Sequence, residues 1–582
     1  METVKLGENS HSEYGWSDNT REKLTQLSFQ LTRTTDKIQI AHIKTIYRDL
    51  LKSVYDVPNP DMDNLYATLA LTLQTRDIVA GKGEYELYYV LIGELSLFAD
   101  KINSSKINSS KINSSKINSS KINSSKINSS KINSSKINST LNLLITGTVD
   151  LGEDHPYGSW KDIKYLLNYL RTLYSETELI EKPLFHHIVS LVCDKLREDA
   201  SCENEAISLC AKWVPREKSK QFGWQTRYFA ADYFNEFYDG SDASERKCLT
   251  HFRKLLARLN NQLNTPQINQ CNNEWRKINF DKDVTSITLS RQKYAFMCQN
   301  KNKLDSDRAR CRSNYIDYIK RCGKSTTIKA NRVGIVDMVR EAMSLYNGSK
   351  PACETLELQW KESGKSLSPL DNFVAMVDTS DSMCAENSNP LYAAVGLGLR
   401  IAERSKLGRR IMTFSKDPAW IELDAAASLP ETVGKVATDG SWQTNTNFAA
   451  AVRLLLSSCI AKNLRPDEVK NMVLVVFSDM AIDEADSNAR SMNELIKILF
   501  SDAGNYEPCH ILYWNLRSTG GFPVLSTEKN VSMLSGYSPS MLNMFCEKGI
   551  AALEDFTPWS CLWEQLNHTR YQWLKKHLKT NI

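Results

Sequence analysis

The chain has 582 residues, 41% of them hydrophobic and 24% charged, with a formal net charge of +5, the make-up of an ordinary folded protein with length for two or more cores. No run of eighteen or so apolar residues occurs and the opening residues lack an apolar signal core, which argues against a membrane-spanning helix or secretory leader and leads us to expect an intracellular, cytoplasmic protein without membrane partners. The charge is uneven: residues 1–350 sum to +10 and residues 351–582 to −5, and residues 251–350 alone carry +12.

Along the chain, apolar residues at three- and four-residue spacing mark helices over 65–73, 87–98, 163–174 and 184–196. Many such helices in series predict an all-α, stacked (HEAT-like) array over residues 1–350. It is interrupted at 101–140 by eight near-perfect copies of Lys-Ile-Asn-Ser-Ser, the last ending in Thr140. That five-residue period matches neither helix nor strand, and so polar a segment is expected to be a disordered insertion. Fourteen cysteines stand singly from Cys193 to Cys561, a pattern that supports neither a zinc site nor a disulfide framework.

Three short segments stand out in the helical part. In Arg76–Glu84 (R-D-I-V-A-G-K-G-E), Gly81 and Gly83 permit a tight turn and Lys82 has the reach to meet a phosphate, while Asp77 and Glu84 suit caps or pairs between helices. Tyr157–Asp162 (Y-G-S-W-K-D) and Ala211–Glu217 (A-K-W-V-P-R-E) each carry a tryptophan, Trp160 and Trp213, that reads first as a packing anchor and as a stacking surface only if exposed. Further on, Arg308, Arg310, Arg312, Lys320, Arg321, Lys324 and Lys329 lie near Tyr315 and Tyr318, either as a phosphate-binding surface or as a solvated helix face. Cys322-Gly323-Lys324-Ser325 looks like the end of a phosphate loop, but Tyr318 stands where the first glycine belongs and no strand precedes it.

Composition shifts toward Gly, Ser, Pro and Lys before Asp371, and 351–371 is expected to be a linker. Beyond it strands and helices alternate: strands at 373–377, 410–414, 420–423, 472–477, 510–515 and 531–534, with helices at 390–404, 448–459 and 487–500. This pattern predicts an α/β, doubly wound, mostly parallel sheet over 372–582, with an antiparallel edge hairpin at 410–423. The first strand runs into Asp378-Thr379-Ser380-Asp381-Ser382, the D-x-S-x-S pattern. Thr446 precedes the 448–459 helix, with Thr444 as a competitor, and Asp479 closes the 472–477 strand, with Asp483 placed to support the ligands from outside or cap the next helix. Such turns gather at the carboxyl edge of an open sheet, where ligands bind. Two carboxylates with neutral hydroxyls suit Mg²⁺ or another hard divalent cation and leave a coordination position open to a partner's carboxylate.

These residues resemble the von Willebrand factor A (vWA) domain and its metal-ion-dependent adhesion site (MIDAS). The resemblance implies metal ligation by Asp378, Ser380 and Ser382 from one loop, Thr446 from a second and Asp479 from a third. With the three helical segments, the whole layout resembles an uncharacterised family of plants, fungi and giant viruses that joins a helical domain to a vWA domain. It is similar in domain order to the Ro autoantigen (TROVE) family, whose helical ring binds RNA. The resemblance implies a non-enzymatic, Mg²⁺-dependent binding protein that docks an acidic residue of a protein partner, with structured RNA held by the helical part through Lys82 and the 308–329 cations. A structural scaffold without RNA, and a metal-dependent hydrolase, are the other readings. No nucleophile, base or phosphate loop accompanies the carboxylates, so an enzyme is not expected.

Overall fold

The computed structural model describes residues 4–6, 12–55, 61–114, 134–202, 206–298, 304–345, 350–439, 447–481, 492–504, 506–548 and 553–581. The chain forms two compact units, one of Met1–Ile43, Ala80–Lys82 and Val284–His568, the other of Lys44–Val79, Gly83–Asp283 and Thr569–Ile582. Among the described residues no helix is long and apolar enough to cross a membrane.

The first unit holds a two-stranded antiparallel ribbon, β1 (Val4–Leu6) and β2 (Ser12–Tyr14), and a six-stranded sheet. The sheet strands are β3 (Phe373–Asp378), β4 (Arg410–Phe414), β5 (Trp420–Glu422), β6 (Val473–Ser478), β7 (His510–Asn515) and β8 (Val531–Ser535), in the order β5-β4-β3-β6-β7-β8. All neighbours are parallel except β4 and β5, which pair antiparallel at the edge. Alternate residues of each strand serve two cores: Phe373, Ala375 and Val377 pack on one face of β3, and Val374 and Met376 on the other. Helices cover both faces, which is why the central strands read as unbroken apolar runs rather than alternating ones.

Three expectations change here. The 351–371 stretch is not an extended linker: Lys350–Gly364 is a helix whose Ala352, Leu356 and Trp360 enter the sheet's core. Their four-residue spacing was a helical signal that the Gly/Ser/Pro composition masked. An unexpected helix, Leu429–Asp439, also covers that face. The division of the chain differs from a simple 1–350 and 372–582 split. Phe29, from the Thr20–Gln30 helix, and the Ile335–Ser344 helix belong to the sheet's cores. The N-terminal segment is tied there by long-range bonds, Gln30 Nε2 to the Gly521 carbonyl (3.0 Å), Asn515 Nδ2 to the Phe29 carbonyl (2.9 Å) and the Ser526 N–H to the Glu22 carboxylate (2.9 Å). No local periodicity announces such bonds.

The second unit is helical, including Met62–Arg76, Tyr85–Ser114, Ser134–Val149, Lys161–Leu173, Pro183–Ser201, Asp242–Leu263 and Gln572–Asn581. The Lys-Ile-Asn-Ser-Ser repeat departs from its expected disorder at both ends. Residues 101–114 extend one helix and 134–140 begin another, with Ile137 of the last copy buried, while 115–133 lie outside the described residues. Adding a residue to an existing helix costs far less than starting one, so the apolar segments 87–98 and 141–149 carry helix into polar sequence.

Candidate functional site

β3 lies at the centre of the sheet, and the chain leaves it for β4 on one side before returning to β6 on the other. This reversal falls between β3 and β6, and the carboxyl ends of strands at such a reversal are the place where open α/β sheets bind ligands. Asp378 is the last residue of β3 and Asp479 directly follows β6. Both are 0% exposed.

Each oxygen of the two carboxylates is held. The Ser380 N–H donates to Asp378 Oδ1 (2.9 Å) and Ser478 Oγ donates to Oδ2 (2.5 Å). The Ala481 N–H donates to Asp479 Oδ1 (3.0 Å), and Arg517 gives both Nε (2.8 Å) and Nη2 (2.7 Å) to Oδ2. The Ser380 and Ser382 hydroxyls lie 2.9 Å apart in a mutual hydrogen bond. Burial first, and the Asp479 charge second, push the Asp378 carboxyl up to about 7. Among the described residues one guanidinium, that of Arg517, reaches these two buried carboxylates, and it bonds Asp479 alone.

The loops that carry these groups are strained. Met480, directly after Asp479, has φ 61°, and Glu386, Asn387 and Ser388, just beyond the D-x-S-x-S run, have φ 52°, 61° and 58°. Left-handed backbone without glycine costs on the order of 1–3 kcal/mol per residue and is retained where its surroundings impose it.

Of the expected ligands, Asp378, Ser380, Ser382 and Asp479 thus stand on neighbouring strand ends. Thr446, Thr444 and Asp483 lie outside the described residues. The next residue, Asn447, caps the Phe448–Ala461 helix through its side chain and donates its N–H to the Ser415 carbonyl (3.2 Å) just past β4. Sequence reading missed Ser478 and Arg517. Ser478 was legible as the residue before Asp479. Arg517 follows β7 by two positions, and only the β6–β7 pairing brings it to Asp479. Among the described residues no group of three or more His, Cys, Asp or Glu side chains gathers; the oxygens brought together are those of two carboxylates and of the Ser380, Ser382 and Ser478 hydroxyls. That set fits a hard divalent cation held partly by water.

The expected RNA contacts fare differently. Lys82 is 4% exposed, and its ammonium donates to the Ser28 and Leu31 carbonyls and to Ser535 Oγ. It is a structural tether of the sheet unit rather than a phosphate contact. Arg308, Arg310, Arg312, Lys320, Arg321, Lys324 and Lys329 also belong to the sheet unit, not the helical one. Arg308 donates Nη2 to the Ala295 carbonyl (2.6 Å), Arg310, Lys320, Arg321 and Lys324 are exposed, and Arg312 and Lys329 are half-buried. Tyr315 and Tyr318 are buried and offer no stacking surface.

The first two sequence segments meet in the helical unit. Arg76 donates Nε to Asp162 Oδ1 (2.8 Å) and Nη2 to Oδ2 (2.7 Å), and the Tyr89 hydroxyl adds a bond to Oδ1 (2.8 Å). A Cβ on Gly158 would stand 2.7 Å from Asp162 Oδ2 and 2.8 Å from Arg76 Nε, so glycine is needed for the pair to close. Asp77 makes a second such pair with Arg570 Nε (2.8 Å) and Nη2 (3.0 Å), joined by the Tyr571 hydroxyl (2.9 Å).

Residues 372–577 match the family described as a domain of unknown function (DUF7788). The chain is also similar to the uncharacterized protein L728 of Acanthamoeba polyphaga mimivirus, at 29% identity over 424 residues that cover 70% of each chain.

Proposed function

We propose that this protein is a non-enzymatic, divalent-cation-dependent binding protein whose sheet unit works as a vWA-like domain. Asp378, Ser380, Ser382 and Asp479 would hold Mg²⁺, with Thr446, two residues before the Phe448–Ala461 helix in sequence, as the expected fifth ligand. The bound ion would supply a coordination position for an Asp or Glu of a protein partner. One observation carries this reading: two fully buried carboxylates stand at adjacent strand ends, and among the described residues one guanidinium, that of Arg517 on Asp479, offsets their charge. A divalent cation would offset the rest, and burial keeps bulk water from competing for its ligands. Helices in series, resembling the TROVE layout, support a second part of the reading, in which the helical unit binds RNA.

The test is capture of partners by the immobilised full chain in Mg²⁺ and in EDTA, for the wild type and Asp378→Ala. The reading expects capture in Mg²⁺ by the wild type alone. Equal capture in EDTA refutes it.

A further inference from the structure

The Lys161–Leu173 helix turns Ile163, Leu166, Leu167 and Leu170 into the core of the helical unit. Lys161, Lys164 and Tyr165 fall at i, i+3 and i+4 on its outer face. The third sequence segment lies against this face. Lys164 Nζ sits 4.7 Å from the Trp213 ring, 5.3 Å from Phe222 and 5.4 Å from Tyr165. Lys161 Nζ lies 5.1 Å from Tyr165 and 5.9 Å from Trp213, and Lys212 Nζ 5.7 Å from Trp213. Three ammonium groups thus share three half-buried rings. Neither Lys164 nor Lys212 makes an ion pair among the described residues; Lys212 bonds only weakly to Gln267 Oε1 (3.4 Å). Burial pulls both below the usual lysine range, and Lys161 adds to the effect at Lys164.

The loop that follows is held in one shape. The Ser219 N–H donates to the Arg216 carbonyl (2.9 Å), the Gly223 N–H to the Ser219 carbonyl (2.9 Å) and Thr226 Oγ1 to the Pro215 carbonyl (3.1 Å). A Cβ on Gly223 would come within 2.3 Å of the Glu217 carbonyl oxygen, so only glycine closes this turn. Arg216, Lys218 and Lys220 are exposed on it and make no ion pair among the described residues, while Glu217 is spent on Arg253 at 3.4 Å.

We infer that this face binds single-stranded RNA, with bases stacking on Trp213, Tyr165 and Phe222 and phosphates meeting Lys161, Lys164, Lys212 and the 216–220 cations. The inference deepens the RNA-binding part of the proposed function and rests on it. Flat rings interleaved with cations favour unpaired nucleotides over an acidic peptide, which has charge but no faces to stack. In the free protein each ammonium occupies a ring face through cation–π attraction; on binding it moves to a phosphate and yields the ring to a base. Clustered like charges, each partly desolvated, gain most from an anion.

The experiment measures binding of a fluorescein-labelled oligouridylate to the full chain in EDTA across a salt series. Wild type is expected to bind, with affinity falling as salt rises. The combined Lys161→Gln, Lys164→Gln and Lys212→Gln variant should bind more than about tenfold more weakly, with a log–log salt slope smaller by roughly 2, about 0.7 per lost phosphate contact. Trp213→Leu should weaken binding about tenfold at an unchanged slope. Should Trp213→Leu perturb folding, judged by its melting profile, the exposed pair Lys218→Gln and Lys220→Gln replaces it and should lower the slope by about 1.4. Lys254→Gln, at an exposed lysine of the Asp242–Leu263 helix, should bind as wild type does, which separates this surface from the rest of the helical unit's charge. Wild-type affinity in the lysine variants, equal affinity for poly-L-glutamate, or an equal loss in Lys254→Gln would each overturn the assignment.

Discussion

Buried aspartates occur in both units, and their partners differ. In the helical unit Asp162 pairs with Arg76 and Asp77 with Arg570, each joined by a tyrosine hydroxyl, while the buried Asp199 is held by the Ser208 N–H (2.9 Å) and hydroxyl (2.6 Å). In the sheet unit Arg517 bonds Asp479 alone, and Asp378 is held by the Ser380 N–H and the Ser478 hydroxyl. An Asp–Arg pair is a lock, whereas on the proposed reading Asp378 and Asp479 take a further cation. What then separates the two settings is the count of opposite charges within reach rather than burial itself.

The comparison breaks most visibly at the lock. Asp162→Ala strands the Arg76 guanidinium and should cost about 3–5 kcal/mol in urea unfolding of the helical unit. Asp378→Asn in metal-free buffer should change stability by no more than about 1 kcal/mol, because it removes a charge that lacks a full partner. Equal losses would erase the distinction.

A buried group outside both clusters supplies a control. His510, on β7, is buried, bonds Ser532 Oγ through Nε2 (3.0 Å) and is lowered by burial to about 4. The folded protein keeps it neutral while the unfolded chain takes up a proton, so its stability contribution is intact above about 6.5 and is lost as pH falls toward 4. The loss amounts to on the order of 3 kcal/mol. His510→Asn should flatten the pH dependence of the melting temperature in that window, in Mg²⁺ and EDTA alike.

Mg²⁺ at about a hundred times its dissociation constant should stabilise the wild type by roughly 2.7 kcal/mol, read as a rise in melting temperature, and should leave Asp378→Asn unmoved. A matching rise in Asp378→Asn would place the ion elsewhere. The smallest effect sharpens the role of Arg517. If its guanidinium competes with the ion for Asp479, Arg517→Gln should tighten Mg²⁺ binding about tenfold in calorimetry, roughly 1.4 kcal/mol. Weaker binding would instead make Arg517 the group that positions Asp479.

The sheet was legible because both of its faces are covered, which leaves β3, β6 and β7 as apolar runs too short for helices. The edge hairpin of β4 and β5 was legible from the close spacing of its strands. The Leu429–Asp439 helix was overlooked although Ser428 and Glu431 form a reciprocal cap, with the Ser428 N–H and Oγ donating to the carboxylate at 2.7 Å. That S-x-x-E signature stood in the sequence. Lys82 was misread for the opposite reason. A lysine between glycines looks available for phosphate, and only the fold surrounds it with Ser28, Leu31 and Ser535.

By itself the sequence determined the strands, most of the helices and the candidate acids, because hydrophobic period and the residues that end a strand are local properties. The tertiary structure alone decided that Arg517 meets Asp479, that Tyr315 and Tyr318 are interior, and that Lys161, Lys164 and Trp213 form one surface. Charge balance and exposure depend on which distant segments pack together, and no local pattern encodes that.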